Sequence, residues 1–431
     1  MAESGDVIIA GAGAGGLAAA GELGKAGLKV TLLEARDRVG GRILTLHPSS
    51  VNHPVELGAE FIHGLSDELW DIVRKSGLKT HEVEGEMWCE HEEQLGRCGD
   101  FFDEVGGVLN RLKPGNPDRA FTDFLRDECA ECNQEEKDRA YQYVEGFHAS
   151  FPEKISVNEL VRATEADEEV DGDRAFRILN GYDAVVQELR SEMNANVALH
   201  LGTVVSQVRW QKDKVEVETN RGGFAAKRAV VTLPLSLLQR GDVKFSPPLE
   251  MKKSALDRLE MGMVMRVVLQ FRRRFWEELR DAHGRSMGEM SFLFTGDPVF
   301  PTWWTAMPAR VPLLTAWSAG HKAEKLVLKG EAFAREHVIA ALARVLRVER
   351  ARIETELEAC YLHDWQADPF SRGAYSYAAV GGENAANELS LPVEGTLFFA
   401  GEATDYTGHN GTVHGAIRSG RRAAGEVVRS W

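Results

Sequence analysis

The sequence predicts an α/β protein organised on a parallel sheet, and three local observations support it. Val7-Ile8-Ile9-Ala10 is a short continuous apolar run, as expected of a strand buried on both faces. Gly11-Ala12-Gly13-Ala14-Gly15-Gly16 follows at once and leads into an alanine-rich helical stretch, Leu17 to Gly27. Lys29 to Leu33 then reads as the second strand, with Glu34 at its C-terminal end. Thr396 to Ala400, near the other end of the chain, is a further buried strand. The sheet therefore draws on segments that are distant in sequence.

Each part of the first unit has a physical task. In G-x-G-x-x-G the glycines Gly11, Gly13 and Gly16 serve a tight turn, close approach of backbone to a pyrophosphate, and close packing of helix on strand, with Ala14 and Gly15 between them. Glu34 stands 23 residues after Gly11, where a carboxylate binds ribose hydroxyls and disfavours a 2′-phosphate. Beyond Ala35, two adjacent glycines, Gly40 and Gly41, let the backbone reach phosphates. Arg36 and Arg42 add fixed positive forks. Val204 to Trp210 and Val215 to Thr219 alternate at period two about a short turn, an antiparallel hairpin. Val413, Ala416, Ile417, Gly420, Ala424 and Val427 keep helical spacing in the last segment.

Composition narrows the function classes. At 431 residues, with 43% hydrophobic and 27% charged, the chain is an ordinary globular one of two or three domains. A net charge of −15 argues against a nucleic-acid partner, which needs a basic face. The acids are concentrated: Glu82 to Glu104 holds nine acids and one base, and Glu165 to Asp173 six acids and no base. Such stretches are either solvated faces or a mouth that steers cations inward. Five cysteines, an odd count, predict no disulfide framework and a reducing compartment. Cys129 and Cys132 fall in a stretch that reads as one polar helix, Phe121 to Tyr143. With Cys89 and Cys98 they match no common zinc spacing, so no metal is expected. The N-terminus lacks a signal-peptide pattern, and the apolar run Val7 to Gly21 is too short and glycine-rich to span a membrane. A cytoplasmic protein with no membrane partner is expected.

From Glu34 to Arg42 the chain resembles the flavin amine oxidase family, which includes monoamine oxidases, polyamine oxidases, histone demethylases and L-amino-acid oxidases. The resemblance recurs along essentially the whole chain. It implies a Rossmann-like FAD-binding domain, discontinuous in sequence (1–80, 178–250 and 383–431), and a mixed sheet-plus-helices substrate domain (81–177 and 251–382). Gly58-Ala59-Glu60-Phe61, ending in His63-Gly64, looks like the family's flavin-contacting segment. Val205 matches the position whose backbone holds the adenine, and Trp365 opens a second strong family segment that runs to Tyr377. Gly401-Glu402 matches a pair near the ribose and phosphates. Thr412 and Val413 begin the closing helix, whose N-terminal amides would face the flavin pyrimidine edge.

The resemblance also implies the catalytic set. Tyr375 matches one aromatic of the cage before the flavin, and Thr412 stands where monoamine oxidases place the other. Ala374 stands where those enzymes place the cysteine bonded to FAD, so non-covalent FAD is expected. Trp303 and Trp304 are adjacent on a strand and point to opposite sides, so one at most lines the pocket; Trp304 is favoured. His63 either bonds a substrate amine or caps a turn. Arg266 stands where the family carries a lysine held by water to flavin N5, and arginine keeps the charge but not the compact ammonium. The implied reaction is hydride transfer from the carbon beside an amine nitrogen to flavin N5. The resulting imine hydrolyses, and dioxygen takes the electrons as hydrogen peroxide. The expected substrate is a polyamine or other cationic amine. The alternatives are an L-amino-acid oxidase, with Arg266 holding the carboxylate, and a flavoprotein with a binding or scaffold role.

Overall fold

The structure is a computed structural model that describes residues 3–91, 94–98, 101–327 and 329–431. Its centre is a five-stranded parallel sheet in the order Val197–His200, Val30–Leu33, Val7–Ala10, Arg228–Val231, Leu397–Phe399. Side chains alternate across it as the pleat requires. Val7, Ile9 and Leu32 face the helices Ala14–Lys25, Asp183–Ser191 and Val413–Arg429. Ile8, Ala10 and Leu33 face a second five-stranded sheet that contains the expected hairpin, Val205–Gln211 with Lys214–Thr219. The first and last helices pack closely because both are small-residue helices at their crossing. A Cβ on Gly420 would sit 2.1 Å from the Gly15 carbonyl oxygen.

A seven-stranded, mainly antiparallel sheet forms the other half. Its middle strands are Val264–Phe271, Leu313–Ala319 and Thr302–Thr305. Val264–Phe271 is buried on both faces, against helix Glu331–Leu346 on one side and the cavity described below on the other. A three-stranded sheet joins Phe61–His63, Ala175–Ile178 and Thr80–Glu82. The helices Phe121–Asp127, Gln134–Phe147 and Val157–Glu169 share a further apolar core.

Two expectations are corrected. The single helix over Phe121–Tyr143 is two, because Asn133 caps a new helix with a reciprocal Asn133–Glu136 capping box. Cys129 and Cys132 lie in the break and form a disulfide, their Cα atoms 5.2 Å apart. Cys89 and Cys98 form a second across the hairpin Glu86–His91/Gln94–Arg97, whose pairing brings their Cα atoms to 5.1 Å. All four cysteines weighed as zinc ligands are thus in disulfides, and only Cys360 is free among the described residues. The segment Met261–Phe271, which carries Arg266, divides at Gly262. Leu259–Met261 pairs with Ser376–Ala378, and Val264–Phe271 joins the large sheet. Of the first acidic stretch, Glu92, Glu93 and Asp100 lie outside the described residues. No helix among the described residues is long and apolar enough to cross a membrane.

Candidate active site

One cavity of about 1560 Å³ is lined by both the parallel sheet and the seven-stranded sheet, and every candidate site residue lies on its wall. At one end is the glycine turn. Gly11 has φ +108°, and a Cβ on Gly13 would meet no protein atom within 4 Å, so the turn leaves a clear cradle at an uncapped helix N-terminus. Glu34 is buried beside it. Its Oε2 accepts from Ala12 N at 2.8 Å and its Oε1 from Arg36 N at 2.9 Å, and each oxygen keeps a further acceptor position.

The two arginine forks differ. Arg36 donates through one terminal nitrogen to Asp368 and Ser371, both at 2.8 Å, which removes much of its charge from the cradle. Among the described residues Arg42 uses only Nη1, donating to the Ala374 carbonyl at 2.7 Å and to Glu402 at 2.8 Å. Glu402 is a knot in the protein itself. Its other oxygen accepts from Ser376 Oγ at 2.6 Å, Ser376 N at 3.2 Å and Gly411 N at 3.0 Å. Trp365 donates its indole N–H to the Leu57 carbonyl, 2.8 Å. Val205 opens its strand at an irregularity in the ladder and faces the cavity.

At the other end Glu60 gathers a charged cluster. Its Oε1 accepts from Arg177 Nε at 2.8 Å, and its Oε2 accepts from Trp304 Nε1 at 3.0 Å and from Arg266 in a very short contact. Burial alone would raise the Glu60 carboxyl, but Arg266 and Arg177 more than offset this and hold it below its ordinary value. Arg266 also donates to the Gly58 carbonyl at 2.8 Å, and its guanidinium lies 5.4 Å from the Trp304 ring centroid. Its Nε is buried without a hydrogen-bond partner among the described residues. Trp303 is wholly buried and donates to the Phe300 carbonyl, so of these two Trp304 is the one on the cavity wall. Its indole N–H is held by Glu60 and its ring lies against the Arg266 guanidinium.

Phe61 packs 5.8 Å from Trp304 and 5.9 Å from His63. His63 makes no side-chain hydrogen bond among the described residues, and burial lowers its pKa to about 4, so the ring is neutral near pH 7. The Tyr375 hydroxyl donates to the Phe147 carbonyl at 2.7 Å, which fixes the ring at the cavity edge. Thr412 lies on the cavity wall at the start of the last helix. Its hydroxyl accepts from Gly415 N at 3.0 Å and donates to the His409 carbonyl at 2.6 Å, so it caps the last helix.

A profile described as flavin containing amine oxidoreductase matches residues 14–171 and 124–428, nearly the whole chain. The chain belongs to this family. Probable polyamine oxidase 4 of Arabidopsis thaliana is 28% identical over 460 residues, covering 98% of this chain and 87% of that protein. Lysine-specific histone demethylase 2 of Homo sapiens is 27% identical, covering 98% of this chain and 53% of that protein. The chain spans only 30% of another similar protein, Lysine-specific histone demethylase 1 homolog 3 of Arabidopsis thaliana. Putrescine oxidase bound to putrescine has the same fold, with TM-score 0.81 at 23% identity over 100% of both chains. Cyclohexylamine oxidase from Brevibacterium oxydans IH-35A superposes with TM-score 0.79 at 19% identity over 99% of both.

Membership of the flavin containing amine oxidoreductases makes FAD the cofactor, and the cradle fits it: a clear turn at Gly13, acceptor positions on Glu34 and an incompletely used fork on Arg42. Sequence reasoning missed Arg177, the second cation on Glu60. The available signal was an arginine between Phe176 and Ile178 in an apolar strand. It also missed Tyr143 and Phe147, which line the cavity as a parallel stacked pair, centroids 5.2 Å apart.

Proposed function

We propose that the protein is an FAD-dependent amine oxidase acting on cationic amines of the polyamine class, with dioxygen as the electron acceptor. The observation that carries this reading is the continuity of the cavity. It runs from a dinucleotide cradle at Gly13 and Glu34 to an aromatic end formed by Tyr375, Trp304 and Phe61. FAD bound along it supplies the acceptor for a hydride from the carbon beside the amine nitrogen. In this reading Glu34 receives the ribose hydroxyls, Arg42 faces the pyrophosphate, and the amides following Thr412 face the pyrimidine edge. The division into an FAD domain and a substrate domain is kept as proposed from the sequence.

The protein's own part is orientation and exclusion of water. Tyr375, tied to Phe147, and the ring of Phe61 form walls that hold an alkylamine. His63, neutral at pH 7, can accept an N–H from the substrate without repelling its charge. Glu60 balances one of the two arginines, leaving one net positive charge at this end of the cavity. The acids Asp167, Glu168, Asp171 and Asp173 lie on the cavity wall, so the second acidic stretch faces the route of entry and supports attraction of cations. Polyamine oxidases among the relatives support the same class.

The two cations beside the aromatic end, Arg266 and Arg177, are both held by Glu60, which weighs against recognition of an amino-acid carboxylate. The expected cytoplasmic location loses its cysteine-based support, because paired disulfides suit an oxidising compartment. The test is peroxide release by the FAD-loaded protein with spermidine, 1,4-diaminobutane, butylamine and neutral L-amino acids. The reading expects peroxide from the diamine and the polyamine. Peroxide from amino acids alone contradicts it.

A further inference from the structure

Glu60 and Arg266 line a second pocket as well as the main cavity. Strand Val264–Phe271 presents Val264 and Arg266 to the main cavity. Arg266 and Val268, two residues further along the same face, line the second pocket, whose volume is about 40 Å³. The Glu60–Arg266 ion pair is therefore the partition between the two. The Arg266 side chain is 5% exposed, and its Nε has no hydrogen-bond partner among the described residues. At roughly 10–15 Å³ for each water, the pocket has room for about two or three. The carboxyls of Glu56 and Glu60 and the guanidinium groups of Arg177 and Arg266 supply the polar partners that waters require. His53 is half-buried and His81 exposed, so the lining continues to the protein surface.

Glu56 is the group in this pocket that the site described above leaves unused. Its strand, Val55–Glu56, pairs with Thr45–Leu46. Its Oε2 accepts from Thr45 Oγ1 at 2.6 Å and its Oε1 from Tyr182 N at 2.7 Å. No cation pairs with it among the described residues. Burial pushes its carboxyl up to about 8; the bonds from Thr45 and Tyr182 and the charge of Arg266 oppose this, and Glu60 adds to it. The other charged or titratable groups around it are Arg177, His53 and His81 in the pocket. Behind it stand the Tyr182 phenol, which Glu56 raises, and Asp183, whose N–H bonds Thr45. Glu56 thus carries a proton at pH 7, whereas Glu60, across the same pocket, is ionised.

The reaction read above has a use for such a proton. Its balance is R–CH₂–NH₃⁺ + O₂ + H₂O → R–CHO + NH₄⁺ + H₂O₂. The ammonium gives up one proton before its C–H bond breaks, and that bond then yields a hydride, two electrons with one proton. Dioxygen takes up the two electrons and needs two protons, so one must come from elsewhere. The main cavity is occupied by the dinucleotide and the amine. A route on the other side of Arg266 keeps proton supply independent of the amine's entrance.

We propose that the second pocket is a water-filled inlet that brings this proton to the Glu60–Arg266 end of the main cavity, with Glu56 as the residue that holds it. Glu56 touches neither substrate nor cofactor and acts through the waters against Arg266 and Glu60. The inference rests on the reading of the protein as an amine oxidase that uses dioxygen.

The test uses FAD-loaded wild type, Glu56→Gln and Ala306→Leu. Glutamine keeps the shape and the two hydrogen bonds of a protonated glutamate but has no proton to give, and leucine at 306 fills the pocket while leaving the carboxyl. The first readout is melting temperature against pH. A carboxyl raised from 4.5 to about 8 contributes stability that is complete below pH 4.5 and is lost as pH rises through about 8. Wild type should therefore fall progressively below Glu56→Gln between those values. The second readout is reoxidation by dioxygen after photochemical reduction of the flavin, which needs no amine. At pH 7 both variants should reoxidise at least about 10-fold more slowly, where a positioned acid typically contributes about 10²–10⁴-fold. The wild-type rate should fall as pH rises through about 8, and the Glu56→Gln rate should not. A gap in melting temperature that does not grow with pH, or a Glu56→Gln protein that melts below wild type at pH 8, overturns the inference. Reoxidation at the wild-type rate in either variant overturns it and leaves the amine reading intact. Wild-type flavin that air does not reoxidise overturns it together with dioxygen as the acceptor.

Discussion

Replacing Glu60 by glutamine separates charge from shape at the cluster beside Arg266. The carboxylate offers two acceptor oxygens, one taken by Arg177 and the other shared by Arg266 and Trp304. Glutamine has one acceptor oxygen and an NH₂ group, so on one side a donor must face a donor. Two buried guanidinium groups then share a site without a counter-charge. Removing one partner of a buried ion pair costs about 3–5 kcal/mol. With an unfolding entropy of about 2.1 cal/mol/K per residue, 431 residues give roughly 0.9 kcal/mol/K, so the melting temperature should fall by about 3–6 °C. The assay is thermal unfolding of the FAD-loaded protein, wild type and Glu60→Gln, at one scan rate across pH. The Glu60 carboxyl is held below its ordinary 4.5 in the folded protein. Its stabilisation is therefore complete above about pH 4.5 and is lost as pH falls through the folded value. The gap between the proteins should be constant at neutral pH and narrow only in acid. A variant that melts within 1 °C of wild type at pH 7 would show that the cluster does not depend on this charge, and would refute the reasoning.

Four further outcomes are expected. Glu34→Ala removes the acceptor that holds Ala12 N and Arg36 N, with each such bond to a charged group worth about 1.5–3 kcal/mol, and should lower the flavin-to-protein absorbance ratio after gel filtration. In the wild type that flavin should pass into the supernatant on acid denaturation, since Ala374 offers no thiol for a covalent bond. Arg266→Lys should speed reoxidation in air while anaerobic reduction stays within a few-fold, because a compact ammonium better stabilises charge developing on oxygen. Stopped-flow of each half-reaction decides it, and abolished reduction would make Arg266 a substrate ligand. His63, with a folded pKa of about 4 against an ordinary 6.5, should add no step to the rate profile between pH 5 and 8. Its protonation should erode stability as pH falls from about 6.5 toward 4, so His63→Asn should lose less stability over that interval than wild type.

The parallel sheet was readable because its signals are local. An apolar run, a glycine turn and a terminal acid lie within Val7–Glu34, and burial on both faces makes such strands continuous in hydrophobicity. The capping box at Asn133 was equally local, yet the even polarity of 121–143 concealed the break before it. The Glu60 cluster could not be read, because its partners are 117, 206 and 244 residues away in sequence on three different strands. The Cys89–Cys98 bond depends on the register of a hairpin without clear alternation. The acidic stretch 165–173 was visible as a charge run, but only helix phase and the turn at Gly172 show that Asp167 is its half-buried member. Thr412 was readable as the start of the last helix, but the bond from Gly415 N to its hydroxyl was not, because it depends on the local backbone geometry.

The central claim is that the cavity brings an amine to FAD. It is tested most directly by mixing the yellow FAD-loaded protein anaerobically with 1,4-diaminobutane or spermidine and following flavin absorbance. The account predicts that about one equivalent of either amine bleaches the flavin and that neutral L-amino acids do not. Flavin that stays oxidised with every amine, or is bleached only by amino acids, contradicts it.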